Sequence, residues 1–237
     1  MRTIAPLVQS HKNLVVVRVG DGATLHPTWL DQPLVSRNWD LLVSYYGLDP
    51  FWHPGDCEGA VAHLGQKWPA VQCMYRSNLF DNYDFIWFPD VDIKTNTDSI
   101  NTLFELVKVF GLDLAQPSLS LDSYTSHNIV LQQKNSIIRY TNFVEMMVPM
   151  FSQKGLTVCA DSFDAPGMGW GLDYVWPKLL EYSNKNVGII DAVSVTHTVP
   201  AGSTYDIQQA HNQMWSLMNK YQVNETKFTI SSVWLDR

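Results

Sequence analysis

The sequence predicts an α/β protein: a single domain built on a mostly parallel central sheet flanked by helices. Three observations carry this expectation. Short apolar runs of strand length alternate along the chain with segments whose apolar residues recur at three and four. The first run, Leu14 to Gly20, is apolar at nearly every position, as in a strand buried on both faces. No internal repeat or flexible linker divides the 237 residues, a length that one large core can serve.

The elements follow in order. Leu14-Val15-Val16-Val17-Arg18-Val19-Gly20, closed by Gly20-Asp21-Gly22, reads as a central parallel strand with a ligand-side loop. Residues 23–37 hold two prolines and no period, so no helix is assigned there. Trp39 to Gly47 reads as the next strand, and Cys57 to Gln66 as a short helix stopped by Trp68-Pro69. Phe85 to Phe88 is a strand ending on Asp90-Val91-Asp92. Thr97-Asp98-Ser99 opens a helix in which Ile100, Leu103, Phe104, Val107 and Phe110 repeat, with Gly111 as its stop. Leu114 to Ser118, Ile129 to Leu131 and Phe143 to Met150 read as strands, the last at a bulge or edge because of Pro149. Leu172 to Tyr182 reads as a helix with Pro177 near its start, and Val187 to Val195 as a strand leading to Thr196-His197. Ile207, Ala210, Met214, Leu217 and Tyr221 mark a late helix capped by Ser203. Residues 227–235 alternate weakly, as an edge strand does.

Bulk properties exclude several functions. The formal net charge is -7, and the sixteen Lys and Arg form no basic stripe, which argues against a nucleic-acid backbone as partner. No Lys-rich amphipathic helix suits a membrane surface. Cys57, Cys73 and Cys159 are widely spaced and include no Cys-x-x-Cys pair, so they read as reduced thiols rather than a disulfide scaffold or a zinc site. The N-terminus has no long apolar region, and no 18-residue apolar run occurs; the expectation is a cytoplasmic protein without a transmembrane segment. Nine Trp, ten Tyr and ten Phe provide core and, in part, surfaces that stack on bases and sugar rings.

The chemistry centres on Asp90 and Asp92. Carboxylates at i and i+2 leave a strand end on the same side. Side by side and without a counter-charge they are costly, and a divalent cation that also meets phosphates removes that cost. Oxygen ligands of this kind suit Mn2+ or Mg2+. An isolated Asp-x-Asp also occurs in capping loops and solvated turns; the preceding aromatic strand favours the metal. His197, after the last long strand, is a candidate third ligand, or else an ordinary strand-end histidine.

Gly169-Trp170-Gly171-Leu172-Asp173 is the second signal. Glycines on both sides of Trp170 permit a tight path, and the indole could pack on a sugar face. Asp173 stands at a helix start, where it is either the base for an acceptor hydroxyl or an N-terminal capping carboxylate. Glu145 is an acid in an apolar run, and a buried acid needs a partner; it is placed with Asp173 in the catalytic pair, against the acceptor. Arg18 and Lys67 are candidate phosphate or uracil-side contacts, or else snorkelling surface chains. Asp40 is a candidate nucleoside contact or a surface ion-pair member.

Five stretches carry a resemblance: Tyr83-Asp84-Phe85-Ile86-Trp87-Phe88-Pro89-Asp90-Val91-Asp92, Ala115-Gln116-Pro117-Ser118-Leu119, Val144 to Ser152, Gly169 to Asp173, and Ile190-Asp191 with His197. In this order they resemble the glycosyltransferase-like family known as domain of unknown function 707 (DUF707), across roughly residues 14–200. More widely the chain resembles A-type (GT-A) glycosyltransferases, the nucleotide-diphospho-sugar transferase architecture. That resemblance implies that Asp90 and Asp92 hold a divalent ion against the donor diphosphate, that His197 completes its shell, and that Asp173 is the base of an inverting transfer. One departure stands out: Phe88-Pro89 occupies positions where relatives often carry a further acid and a Trp.

The expected activity is therefore metal-dependent transfer of a sugar from a UDP- or GDP-linked donor to a hydroxyl, glycan-type acceptor. Residues 10–120 would form the nucleotide-sugar half, and 121–237 the acceptor half with the C-terminal helix. A carbohydrate-binding protein that has lost turnover is the alternative. A P-loop kinase is disfavoured, since no Gly-x-x-x-x-Gly-Lys loop is present.

Overall fold

The computed structural model describes residues 1–165, 167–181, 185–200 and 206–235. Its strands are β1 (Arg2–Ala5), β2 (Asn13–Val19), β3 (Trp39–Tyr45), β4 (Gly59–Ala62), β5 (Phe85–Trp87), β6 (Ile93–Lys94), β7 (Leu114–Leu119), β8 (Ser136–Thr141), β9 (Met150–Ser152), β10 (Val187–His197) and β11 (Thr229–Trp234). Its helices are α1 (Lys67–Arg76), α2 (Thr97–Val109), α3 (Gln153–Cys159), α4 (Leu172–Leu179) and α5 (Ile207–Tyr221). One sheet runs through the protein in the order β1-β4-β3-β2-β5-β9-β7-β10-β8-β11, and β6 pairs with the far end of β10.

Strand β2 shows why the sheet is covered on both sides. Val15, Val17 and Val19 face a core that includes Ile100, Leu103, Phe104 and Val107 of α2. Leu14 and Val16 face a second core with Trp68, Val71 and Met74 of α1 and Leu172, Val175 and Trp176 of α4. Alternate residues on two faces, each packed under helices, give the unbroken apolar run in the sequence.

The single α/β domain with a central sheet and flanking helices is as expected. Its strand directions are more mixed than a mostly parallel sheet. The block β4-β3-β2-β5 is parallel, as is β7 with β10. Three-residue β9 runs antiparallel between β5 and β7, and β1, β6, β8 and β11 are also antiparallel to their neighbours.

Several elements differ from the sequence reading. Residues 57–66 hold no helix; Gly59–Ala62 pairs with β3 and β1 as a strand. Trp68-Pro69 starts a helix instead of stopping one. Gln66 is the N-cap, so Pro69 falls in the first turn, where its missing N–H has no intrahelical partner to lose. Asn128–Val130 is a 3-10 turn, and residues 143–149 form an irregular segment before β9. Pro177 lies inside α4 rather than near its start. Helix α5 is capped by Asp206, whose carboxylate accepts the N–H groups of Gln208 and Gln209. Ser203 and Tyr182 lie outside the described residues.

Candidate active site

The C-terminal ends of β2, β3, β4 and β5 lie along one edge, the place where open α/β sheets form ligand crevices. Asp90 leaves the sheet there, just beyond β5. Segment 143–149 fastens it: the Phe88 N–H donates to Pro149 O (2.9 Å) and the Asp90 N–H to Met147 O (2.7 Å). The Lys67 ammonium, at the first position of α1, meets Asp90 Oδ1 at 2.6 Å and the Met146 carbonyl at 3.1 Å. Burial pushes the Asp90 carboxyl above its usual range against the pull of Lys67, although 36% of its side chain stays accessible.

Asp92 and His197 are brought together by a two-residue ladder. Pairing of β6 with β10 sets His197 opposite Ile93, next to Asp92, and Thr198 donates to Asp92 O through both N–H and hydroxyl. His197 Nε2 stands 3.2 Å from Asp92 Oδ2. Its Nδ1 is 2.7 Å from the Tyr124 carbonyl, which can only accept, so Nδ1 carries a proton. In the neutral ring the Nε2 lone pair then faces a carboxylate oxygen. Such a pair needs a proton or a cation. Burial opposes protonation of His197, but Asp92 and the Tyr124 carbonyl outweigh it and raise its pKa.

This donor set suits a divalent ion. An imidazole with one nitrogen fixed by a carbonyl and the other turned toward a carboxylate oxygen makes, with that carboxylate, an oriented ligand pair. Their 3.2 Å separation is close to the roughly 3 Å between neighbouring ligands of an octahedral ion with bonds of about 2.1 Å. Asp90 is near enough to interact electrostatically with both, yet its carboxylate is engaged by Lys67. Among the described residues no group of three His, Cys, Asp or Glu is already gathered as a metal cage.

A second carboxyl pair adjoins the first. Asp173 is the second residue of α4, after Gly171 in the left-handed conformation (φ 98°). Gly169 (φ 84°) has no room for a side chain, since a Cβ there would lie 2.4 Å from Trp68 Cδ1. These two glycines turn the helix end inward, so that Asp173 is only 5% exposed and accepts the Met146 N–H. Burial pushes its carboxyl up to about 7, despite backbone N–H groups that favour the charged form. Glu145 is buried, with Oε2 lacking a hydrogen-bond partner among the described residues. Burial first, and then the charges of Asp173 and Asp90, hold its carboxyl well above the usual range.

Two contributors escaped the sequence reading. Gln116 on β7 accepts the Glu145 N–H through Oε1 at 2.6 Å and so sets that segment's position. Lys227 donates to Tyr174 Oη (2.7 Å), lies over the Phe143 and Tyr174 rings, and its charge favours ionisation of both Glu145 and Asp173. Gln116 falls inside a stretch already singled out; Lys227, in a polar tail, gives no local signal.

Arg18, at the C-terminal end of β2, is buried and bonds to neutral acceptors: Ser44 Oγ (2.9 Å) and the carbonyls of His63 (3.0 Å) and Gly65 (2.7 Å). Burial pushes its pKa down to about 10, against the raising effect of Tyr46. No carboxylate pairs with it among the described residues. Trp170 packs edge-on against His211 of α5, with ring centroids 5.1 Å apart.

Asp40 does not join the site. It lies near the N-terminal end of β3, opposite the crevice edge, and is fully buried. Its Oδ2 accepts the N–H groups of Ser10 and His11 and the Tyr83 hydroxyl. It pins the approach to β2 through these partners. Asp191 likewise has a structural partner: Arg139 Nε and Nη2 grip its carboxylate at 2.7 and 2.9 Å.

Residues 138–237 match the profile of the family described as protein of unknown function (DUF707), in agreement with the resemblance drawn from the sequence. A sequence search among curated proteins finds no match. Among solved structures, S. aureus TarS 1-349 in complex with UDP-GlcNAc is similar at a TM-score of 0.54 and 9% identity, covering 90% of this chain and 68% of that one. TarS 1-349 in a second crystal structure gives 0.51 and 9%, covering 88% and 71%. A Desulfovibrio desulfuricans G20 protein, described as a nucleotide-diphospho-sugar transferase, gives 0.48 and 13%, covering 90% and 99%. At these identities the likeness to TarS is one of fold. No described helix is long and apolar enough to cross a membrane.

Proposed function

We propose that this protein is a glycosyltransferase that moves a sugar from a nucleoside diphosphate donor, UDP- or GDP-linked, to an acceptor hydroxyl with inversion. The observation that carries this reading is the contact of Asp92 with His197, with Asp90 near enough to feel both and Glu145 near enough to feel Asp90 and Asp173, beyond the C-terminal end of β5. A cluster this acidic suits a substrate whose phosphates arrive with a cation and whose acceptor loses a proton.

Asp92 and His197, joined by Asp90, would hold Mn2+ or Mg2+, which when bound offsets charge on the diphosphate leaving group. Arg18 and Lys67 would meet phosphate or base from the donor side, within residues 10–120. Residues 121–237 would supply the acceptor side: Trp170 as a sugar platform, Glu145 as a hydrogen-bond partner of the acceptor, and Asp173 as its base. The acceptor oxygen attacks the anomeric carbon and its proton passes to a carboxylate oxygen of Asp173. The bond from that carbon to the donor phosphate oxygen breaks, and its electron pair leaves with the nucleoside diphosphate. An Asp173 carboxyl near neutrality is matched to accepting that proton.

The test is thermal shift with UDP and GDP, each with and without Mn2+, followed by release of free nucleoside diphosphate from UDP- and GDP-sugars with glycan acceptors. A shift only when nucleotide and ion are both present, lost in Asp92→Ala, supports the reading. Unchanged ion-dependent nucleotide binding in Asp92→Ala refutes the ligand assignment. Binding without nucleotide release across the acceptors would identify a carbohydrate-binding protein on this fold.

A further inference from the structure

Lys67 engages one oxygen of Asp90, the carboxylate that would join Asp92 and His197 around the proposed ion. Its Nζ is 2.6 Å from Asp90 Oδ1, and its side chain is only 14% accessible. Among the described residues the rest of its contacts carry no second negative charge: its Nζ also lies over the Trp68 ring, 5.2 Å from the centroid. It is the first residue of α1, where the helix dipole disfavours a cation. Its other polar contacts are two neutral carbonyls, Met146 O at 3.1 Å and Met147 O at 3.5 Å. An ammonium ion and a divalent cation repel each other strongly across one partly buried carboxylate. Asp92 and His197, by contrast, already face one another without any such competitor between them.

We propose, resting on the cation-and-diphosphate reading above, that Lys67 makes binding of the ion depend on binding of the donor. In the empty site its ammonium neutralises Asp90 and competes with the divalent ion. When a nucleoside diphosphate arrives, Lys67 moves to a phosphate oxygen and releases Asp90 to the ion. Two like charges then bind to different parts of one ligand set, and each of ion and nucleotide tightens the other by the same factor.

The experiment measures Mn2+ affinity by calorimetry and by the Mn2+ electron paramagnetic resonance signal, with and without UDP and then GDP, for the wild type, Lys67→Met, Lys67→Arg and Asp92→Ala. Circular dichroism melts establish that each variant is folded. In the wild type the better-bound nucleotide should tighten Mn2+ by about tenfold or more, a typical coupling factor. Lys67→Met should bind Mn2+ alone about tenfold more tightly than wild type, with a smaller tightening by nucleotide. Lys67→Arg, which keeps the positive charge, should resemble wild type. If Lys67→Met binds Mn2+ alone no better than wild type while Asp92→Ala abolishes binding, the Lys67 proposal fails and the ion site stands. Arg and Met variants with equal affinity also refute it, because charge would not be the cause. No Mn2+ binding to wild type with either nucleotide would overturn the ion site itself, and this proposal with it.

Discussion

Replacing Asp173 by Asn should make the protein more stable at alkaline pH while removing the proposed base. Asp173 is 5% exposed, and burial raises its carboxyl from 3.8 to about 7. The sign follows from linkage: a folded state with the higher pKa binds more protons between these values than the unfolded chain does. The stabilising contribution is complete below the unfolded value, near 4, and is lost as pH rises through about 7. A difference of about three units at about 1.36 kcal/mol each corresponds to roughly 4 kcal/mol. Glu145 adds to this, since the charge of Asp173 helps to raise its carboxyl and that elevation falls once the neighbour is neutral. An advantage of about 4 kcal/mol or more over wild type, appearing between pH 4 and pH 8, is expected. The Asn side-chain oxygen can keep the Met146 N–H. Urea denaturation of both proteins at several pH values measures the difference, from which the titrations of groups remote from Asp173 cancel. A stability gap that does not change from pH 4 to pH 8 would refute the buried, proton-binding Asp173.

Other expectations separate structural from functional carboxylates. Asp40→Ala should cost about 3 kcal/mol, because Ser10, His11 and Tyr83 lose a buried acceptor, and should leave nucleotide affinity unchanged in thermal-shift titrations. Asp191→Ala should cost about 3–5 kcal/mol in chemical denaturation by stranding the Arg139 guanidinium, which is 1% exposed. Gly169→Ala should cost about 2–4 kcal/mol in a melting experiment, because it combines a left-handed backbone with contact against the buried Trp68 ring.

The sequence was legible wherever a signal was local. Strand β2, the β5 run into Asp90 and helix α2 each carry period and boundary within a dozen residues. Errors arose where one residue type serves opposite purposes. Pro69 can end a helix or occupy its first turn, and only the Gln66 cap distinguishes these. Phe143 to Met150 is apolar without being a strand. Phe143 and Val148 enter one core and Val144 the other, while the carbonyls of Met146 and Met147 turn to Lys67. Asp40 was misplaced because a carboxylate at the start of a strand has the same letter as one at its end. Lys227 was invisible because its ring and carboxyl neighbours, from Phe143 to Tyr174, are more than fifty residues distant. Asp92 and His197 were paired from the family resemblance, and the β6–β10 ladder supplies the physical reason for their contact.

The irregular passage in β10 has a bearing on how this chain tolerates changes in length. Along β7 the partners of Ile190 and Ser194 are adjacent, Pro117 and Ser118, so β10 carries three surplus residues between them. Three is odd, and in an extended strand an odd insertion exchanges the two sides for everything downstream. Asp191, gripped by Arg139, anchors that detour at its first residue. The detour thus acts as a phase shifter that decides whether the imidazole four residues beyond Val193 greets Asp92 or turns its back. Losing a single residue there would reverse its facing, whereas losing two would restore it.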